Sequence, residues 1–261
     1  MSLISLSQRP PGTWRNVLGV FTDIDDTLTS EGAITADALD ALGTLHRAGL
    51  HVIAITGRPV GWSEPFALSW PVDAIVAENG AVALVRGKKL YQADAPMRAG
   101  NFARLQQVAA CVLHEVPDTV LAQDSAGRET DIAIDHSEFA HLNEAQIAQV
   151  VAVMRREGLN ASVSSIHVNG WIGEHDKWQG AGWITRTLFG RDLAAETDRW
   201  VYVGDSTNDQ VMFQHLPQSV GVANIRRFEA ELRYRPRYVT QGERGAGFAE
   251  MARALLVDRS L

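Results

Sequence analysis

Two apolar runs, Val17-Leu-Gly-Val-Phe21 and Trp200-Val-Tyr-Val203, are each followed almost at once by an acidic string. The first is Asp23-Ile-Asp25-Asp26-Thr27 and the second is Gly204-Asp205-Ser206-Thr207-Asn208-Asp209. A short, continuous apolar run reads as a strand buried on both faces, and such strands belong to parallel sheets covered by helices. These sheets present their functional groups at the carboxyl edges of the strands, where ligands bind in open α/β architectures. Aspartates gathered at one such edge repel one another unless a cation lies among them. The pattern therefore calls for a hard divalent metal with oxygen ligands, and magnesium is the natural candidate.

From Val17 onward, short apolar runs alternate with helical patterns, as in a helix-covered parallel sheet. A helix is predicted over residues 36–48, with Leu39, Leu42 and Leu45 on one face and Gly49 as its stop. Strands are predicted over 50–56 and 73–77, the second turning through Glu78-Asn79-Gly80 into 81–85. Between residues 86 and 171 the rhythm changes to helix, strand, strand, written twice. The helices are marked by Phe102, Leu105, Val108 and Val112, then by Ile147, Val150, Val151 and Met154. The strands span 119–123 and 130–136, then 161–168 and 171–174 around a turn at Asn169-Gly170. That repeat predicts a small sheet with helices on one face only. Further strands follow at 200–203, 219–222 and 238–240. The expected fold is α/β: a Rossmann-like parallel-sheet core (residues 1–85 and 172–261) with an inserted α+β cap (residues 86–171) over the site.

Composition narrows the partners. With 261 residues, 46% of them hydrophobic, the chain can bury one large core or two smaller ones. A net charge of −7 with no long basic run gives no footprint for nucleic acid or an anionic membrane, so a small soluble substrate is expected. The single cysteine, Cys111, permits no internal disulfide and lies on an apolar helical face, where it reads as packing. Residues 1–16 lack a basic n-region and an unbroken apolar stretch, and nowhere do 18 apolar residues run together. A reducing cytoplasm is the expected compartment. Nothing in the sequence speaks to oligomeric state.

The string Asp-x-Asp-x-Thr-Leu, at Asp23, Asp25, Thr27 and Leu28, resembles the first motif of the haloacid dehalogenase superfamily of phosphohydrolases. Thr56 at a strand end is similar to the second motif and Lys177, within His175-Asp-Lys-Trp-Gln179, to the third. Gly204-Asp205 with Asn208-Asp209 is similar to the fourth, and all four occur in the family's order. A cap between the second and third motifs resembles the type IIB branch, which includes sugar-phosphate phosphatases. The chain departs from that branch at Asp26, where many relatives have Gly, and at Trp178, where a small residue is common. Neither change removes a catalytic atom.

The resemblance implies a magnesium-dependent phosphatase acting on a phosphomonoester, and phosphoryl-transfer chemistry accounts for each residue type. Asp23 is the implied nucleophile, forming an aspartyl-phosphate. Asp25 is the implied general acid and later base, with its backbone carbonyl toward the metal. Thr56 and Lys177 are implied to hold the phosphoryl group, Asp205 to complete the metal set of Asp23, Asp25 and Asp205, and Asn208 and Asp209 to orient it. Gly57, Arg58 and His175 are candidates for substrate contact. So are His167 and Asn169, which the period of two places with Asp131 on a polar cap face. Glu78-Asn79-Gly80 reads as turn chemistry. Two alternatives stand beside the phosphatase: a phosphosugar mutase with the same aspartates, and a non-catalytic metabolite-binding protein.

Overall fold

The computed structural model describes residues 3–260. Its larger sheet has nine strands, in the spatial order Ile4–Ser5, Tyr238–Val239, Gln218–Gly221, Trp200–Gly204, Gly19–Thr22, His51–Ile55, Ala74–Ala77, Val82–Val85 and Lys88–Tyr91. Neighbours pair in parallel as far as Ala74–Ala77, and the last two strands join as antiparallel hairpins. The apolar runs are buried on both faces because alternate residues feed different layers. Val201 and Val203 pack with Leu42, Phe248 and Met251 of the helices Ala36–Arg47 and Arg244–Arg259. Trp200 and Tyr202 pack on the opposite side with Ala181, Ile184 and Met212 of the helices Lys177–Phe189 and Gln210–His215. Phe21 stacks on Trp200 with ring centroids 4.7 Å apart, tying the two central strands together.

Those two strands adjoin where the chain's direction of travel across the sheet reverses. From Gly19–Thr22 the crossovers run toward Ala74–Ala77, and from Trp200–Gly204 they run the other way. This is the point at which open α/β sheets bind ligands, and Asp23 and Asp205 leave the sheet side by side there.

The inserted unit is a separate antiparallel sheet, ordered Asn160–Val163, His167–Trp171, Asp131–Asp135, Val120–Leu121. The helices Ala95–Glu115 and Glu144–Arg156 cover one face, packing Leu105, Val108, Val112, Val150 and Met154 on Ile132, Ile134 and Val168. Cys111 is half-buried against the same cluster. The α/β core and α+β cap expected from the sequence are thus both present.

Three local expectations are corrected. Asn169-Gly170 is not a turn but lies inside the strand His167–Trp171, with Asn169 opposite Ala133 and Ser162. The reversal falls at residues 164–166, where Ser164 Oγ accepts from the backbone N–H groups of Ile166 and His167. A serine turn and the cap register override the local preference of Asn-Gly. No strand covers 171–174 beyond Trp171 itself. Lys88–Tyr91 pairs with Val82–Val85, so residues 88–91 extend the core sheet instead of opening the cap at residue 86.

Candidate active site

Lys177 is the third residue of the sequence string His175-Asp-Lys and the first of a helix, whose amino end is capped by Asp176 accepting from Gln179 N at 2.7 Å. The helix starts against the turn at Glu78–Gly80 with no room for side chains. A Cβ on Gly80 (φ +115°) would lie 2.3 Å from the Asp176 carbonyl oxygen, and one on Gly180 would lie 2.6 Å from Gly80 Cα. Held there, the buried Lys177 Nζ donates to Asp23 Oδ1 and to Asp209 Oδ1, both at 2.7 Å. Burial alone lowers the affinity of an ammonium for its proton, but Asp209 and Asp23 together raise it above the ordinary lysine value.

Asp209 is held by more than the lysine. Its Oδ2 accepts from the backbone N–H groups of Asp205 at 2.8 Å and Ser206 at 3.1 Å, and Tyr202 Oη donates to its Oδ1. It therefore ties down the loop that carries Asp205. Asn208 Oδ1 accepts from Ser206 Oγ at 2.9 Å in the same loop.

Asp23, Asp205 and Asp209 each offer a carboxylate oxygen within 4.8 Å of the others, and all three are buried. Burial chiefly pushes Asp23 up to about 7, with Lys177 opposing and Asp209 and Asp25 adding. Asp205 is raised well above its ordinary value by burial and by Asp209, Asp23 and Asp26. Asp205 Oδ2 accepts from Asn224 Nδ2 at 3.2 Å, while Oδ1 is buried with no hydrogen-bond partner among the described residues. An unanswered buried carboxylate oxygen beside two further carboxylates fits a hard divalent cation such as magnesium. The Asp25 carboxylate is not part of this cluster, and the sequence expectation placed only its backbone carbonyl at the metal. The carboxylate accepts from Arg58 Nε at 3.0 and 3.1 Å.

Thr56 ends its strand fully buried, and its Oγ1 accepts from Arg58 N at 2.9 Å. The Arg58 side chain then crosses to the cap, where Nη1 donates to Asp124 and Glu138 at 3.1 Å and Nη2 to Glu138 Oε1 at 2.7 Å. Asn169 Nδ2 reaches the Gly57 carbonyl at 3.2 Å and Asp131 at 3.1 Å. His167 Nε2 lies 2.9 Å from Glu138 Oε2. The polar cap face thus looks down on the core, and Gly57, Arg58, His167, Asn169 and Asn208 border a small cleft with Asp23 and Asp25. His175 does not join them. It lines a separate cavity of about 470 Å³, near the segments that join cap to core, with Gln92, Arg98 and Ile172, its ring 5.9 Å from Trp171.

Several contributors carry no recognisable sequence signal. Arg128 donates to Gly57 O at 3.0 Å, to Asp131 at 2.8 and 3.0 Å, and to Asp124 at 3.1 Å. Glu78, read from sequence as turn chemistry, does sit in the turn but also accepts across the seam, from Glu129 N, Thr130 N and Thr130 Oγ1, as well as from Val60 N. Asn224 donates to Asp205 and to the Asp26 carbonyl. Of the two departures noted in sequence, Asp26 (φ 54°) pairs with Arg244 at 2.9 Å, and Trp178 stacks on His215 with centroids 4.6 Å apart. Neither touches the carboxylate cluster.

Residues 20–113 match the family model of haloacid dehalogenase-like hydrolases. No curated protein sequence matches the chain. Among solved structures, the fold is similar to that of a Thermoplasma acidophilum protein, with 15% identity, 92% of this chain and 99% of that chain covered, and a TM-score of 0.72. It is also similar to sucrose-phosphatase from Synechocystis in complex with sucrose and phosphate (15% identity, 92% and 98% covered, TM-score 0.66). A haloacid dehalogenase subclass IIB sugar phosphatase is a third likeness (17% identity, 92% and 99% covered, TM-score 0.64). The family match bears out the superfamily resemblance over residues 20–113, and at such identities the structural likeness speaks for the fold alone, a core with an inserted cap. No helix among the described residues is long and apolar enough to cross a membrane.

Proposed function

We propose, from the premise of a haloacid dehalogenase-type fold with a type IIB cap, that this protein is a magnesium-dependent phosphatase hydrolysing a phosphorylated sugar or similar small metabolite in a reducing cytoplasm. The observation that carries the reading is the convergence of Asp23, Lys177, Asp205 and Asp209 from distant parts of the chain onto one buried sheet edge. A binding module needs no carboxylate nucleophile clamped by an ammonium in such a place.

In the proposed reaction a carboxylate oxygen of Asp23 attacks phosphorus in line, the bond to the leaving oxygen breaks, and an aspartyl-phosphate forms. Lys177 orients Asp23 through the 2.7 Å contact and offsets charge on the phosphoryl oxygens. Asp25 protonates the leaving oxygen, then takes a proton from the water that attacks the aspartyl-phosphate, releasing inorganic phosphate. Arg58 grips Asp25 in this structure, so its acid role requires the bound ester to displace that pairing. Magnesium would be held by Asp23, Asp205 and the backbone carbonyl of Asp25, and when bound it supplies charge neutralisation for the crowded carboxylates and the phosphoryl group. Thr56 would donate its hydroxyl to a phosphoryl oxygen, and Asn208 and Asp209 keep the Asp205 loop in place.

The test is phosphate release from a panel of sugar phosphates and p-nitrophenyl phosphate. Release with magnesium that stops in excess chelator is expected. No release from any ester, or full activity with chelator present, overturns the reading.

A further inference from the structure

A chamber of about 390 Å³ opens beside Asp25, bordered by Asp26, Glu31, Arg58, Glu138 and Arg244. It adjoins the proposed acid, and in the phosphatase reading it is room for the leaving group beside Asp25. Both of its cations already hold carboxylates. A guanidinium has five N–H groups. On Arg58, Nε is taken by Asp25, Nη1 by Asp124 and Glu138, and Nη2 by Glu138 with Asp25 Oδ1 also at 3.0 Å. Arg244 pairs with Asp26 at 2.9 Å and donates to Ser30 Oγ at 3.1 Å. Against these stand the carboxylates of Asp25, Asp26, Glu31 and Glu138 on the chamber wall, with Asp124 behind Arg58.

We infer that the leaving group is uncharged or cationic, a polyhydroxylic or amino alcohol, and that esters with a second anionic group near the reacting phosphate are rejected. This rests on the phosphatase reading and deepens it. A carboxylate entering the chamber meets four carboxylates against two guanidiniums, an excess that breaking the Arg58–Asp25 pairing does not change, whereas hydroxyl and ammonium donors find ready acceptors. Like-charge juxtaposition in a half-enclosed site is a strong discriminator, and in the open part of the chamber it is weakened by salt. Glu138 is the specificity-determining residue, because it both adds negative charge and occupies the terminal nitrogens of Arg58.

The test uses the full chain with magnesium and p-nitrophenyl phosphate as reporter, and measures inhibition constants and kcat/KM for glucose 6-phosphate, glucosamine 6-phosphate and 6-phosphogluconate. The gluconate ester is expected to bind about tenfold or more weakly than the glucose ester, the gap shrinking as salt rises. Glu138→Gln should narrow it by about threefold or more, because it removes a charge and frees Arg58 donors. Equal or tighter binding of 6-phosphogluconate overturns the inference while leaving the phosphatase reading intact, and so does an unchanged gap in Glu138→Gln. If no ester is hydrolysed, the aryl phosphate and the sugar phosphates alike, the phosphatase reading fails and this inference falls with it.

Discussion

Carboxylates are treated in opposite ways at the sheet edge and at the seam between core and cap. At the edge, one ammonium bonds Asp23 and Asp209 beside a third carboxylate, Asp205, one buried oxygen of which goes unanswered. At the seam, Arg58 and Arg128 meet Asp25, Asp124, Asp131 and Glu138, and nearly every guanidinium N–H finds an oxygen. Burial is common to both regions, so burial does not distinguish them. Nor does net charge, with three carboxylates to one ammonium at the edge and four to two guanidiniums at the seam. Hydrogen bonding does. A buried carboxylate oxygen left without a donor marks a place fit for a cation, whereas carboxylates each answered by a guanidinium N–H tie core to cap.

The contrast breaks most sharply at Asp23. Asp23→Asn should abolish phosphate release while the protein stays folded, because an amide is no nucleophile and a weaker ligand for a hard cation. Circular dichroism and melting curves check the fold, and near-normal turnover would refute the role. Asp25→Asn, on the seam side, should reduce kcat by about two to four decades, the usual share of general acid–base catalysis. The loss should be smaller on an aryl phosphate than on an alkyl phosphate, and equal losses would speak against Asp25 as the acid.

The next effects concern stability. Glu78→Ala removes an acceptor shared by Val60, Glu129 and Thr130 across the seam, leaving buried donors unpaired at a cost of about 4 kcal/mol in chemical denaturation. A loss below about 1 kcal/mol would show that the seam is held without it. His175, beside the segments that join cap to core, is depressed by burial to about 4. The unfolded imidazole takes up its proton near pH 6.5, so this group's contribution is fully present above that pH and fades as pH falls toward about 4, by up to about 3 kcal/mol. Denaturation curves at pH 7.5 and 4.5 should therefore differ less in His175→Asn than in the unaltered chain. Thr207→Val, which loses the 2.8 Å bond from Oγ1 to the Val163 carbonyl of the cap, should cost only about 1 kcal/mol.

Much of the core was legible because its signals are local. Apolar runs ending in acidic strings mark strand and edge together, and Lys177 stood out only through the order of motifs around it. The polar cap face was legible too, since alternation along a strand fixes which side chains share a face. What escaped depends on contacts between distant segments. Nothing near Glu138 or Asp124 in sequence announces Arg58, and Asn224 meets Asp205 only after the chain has crossed the sheet. Proximity in sequence misled at His175, which lies two residues from Lys177 yet lines a separate cavity. Asn169-Gly170 misled by its turn chemistry, overridden by a register that spends the Asn169 amide on the core.

The crossing of Gly80 and Gly180 sets a gauge for the whole site. Two bare backbones in contact define the distance from which Lys177 must reach Asp23, and lysine is already the longest side chain that ends in an ammonium. One added methyl at either position separates the backbones, and no side-chain exchange at 177 restores the span with a compact charge. Saturation mutagenesis would therefore return glycine at 80 and 180 as strictly as aspartate at 23. Residues touching no reacting atom would then look catalytic in such a survey, because the dimension they protect is shorter than any substitution allows.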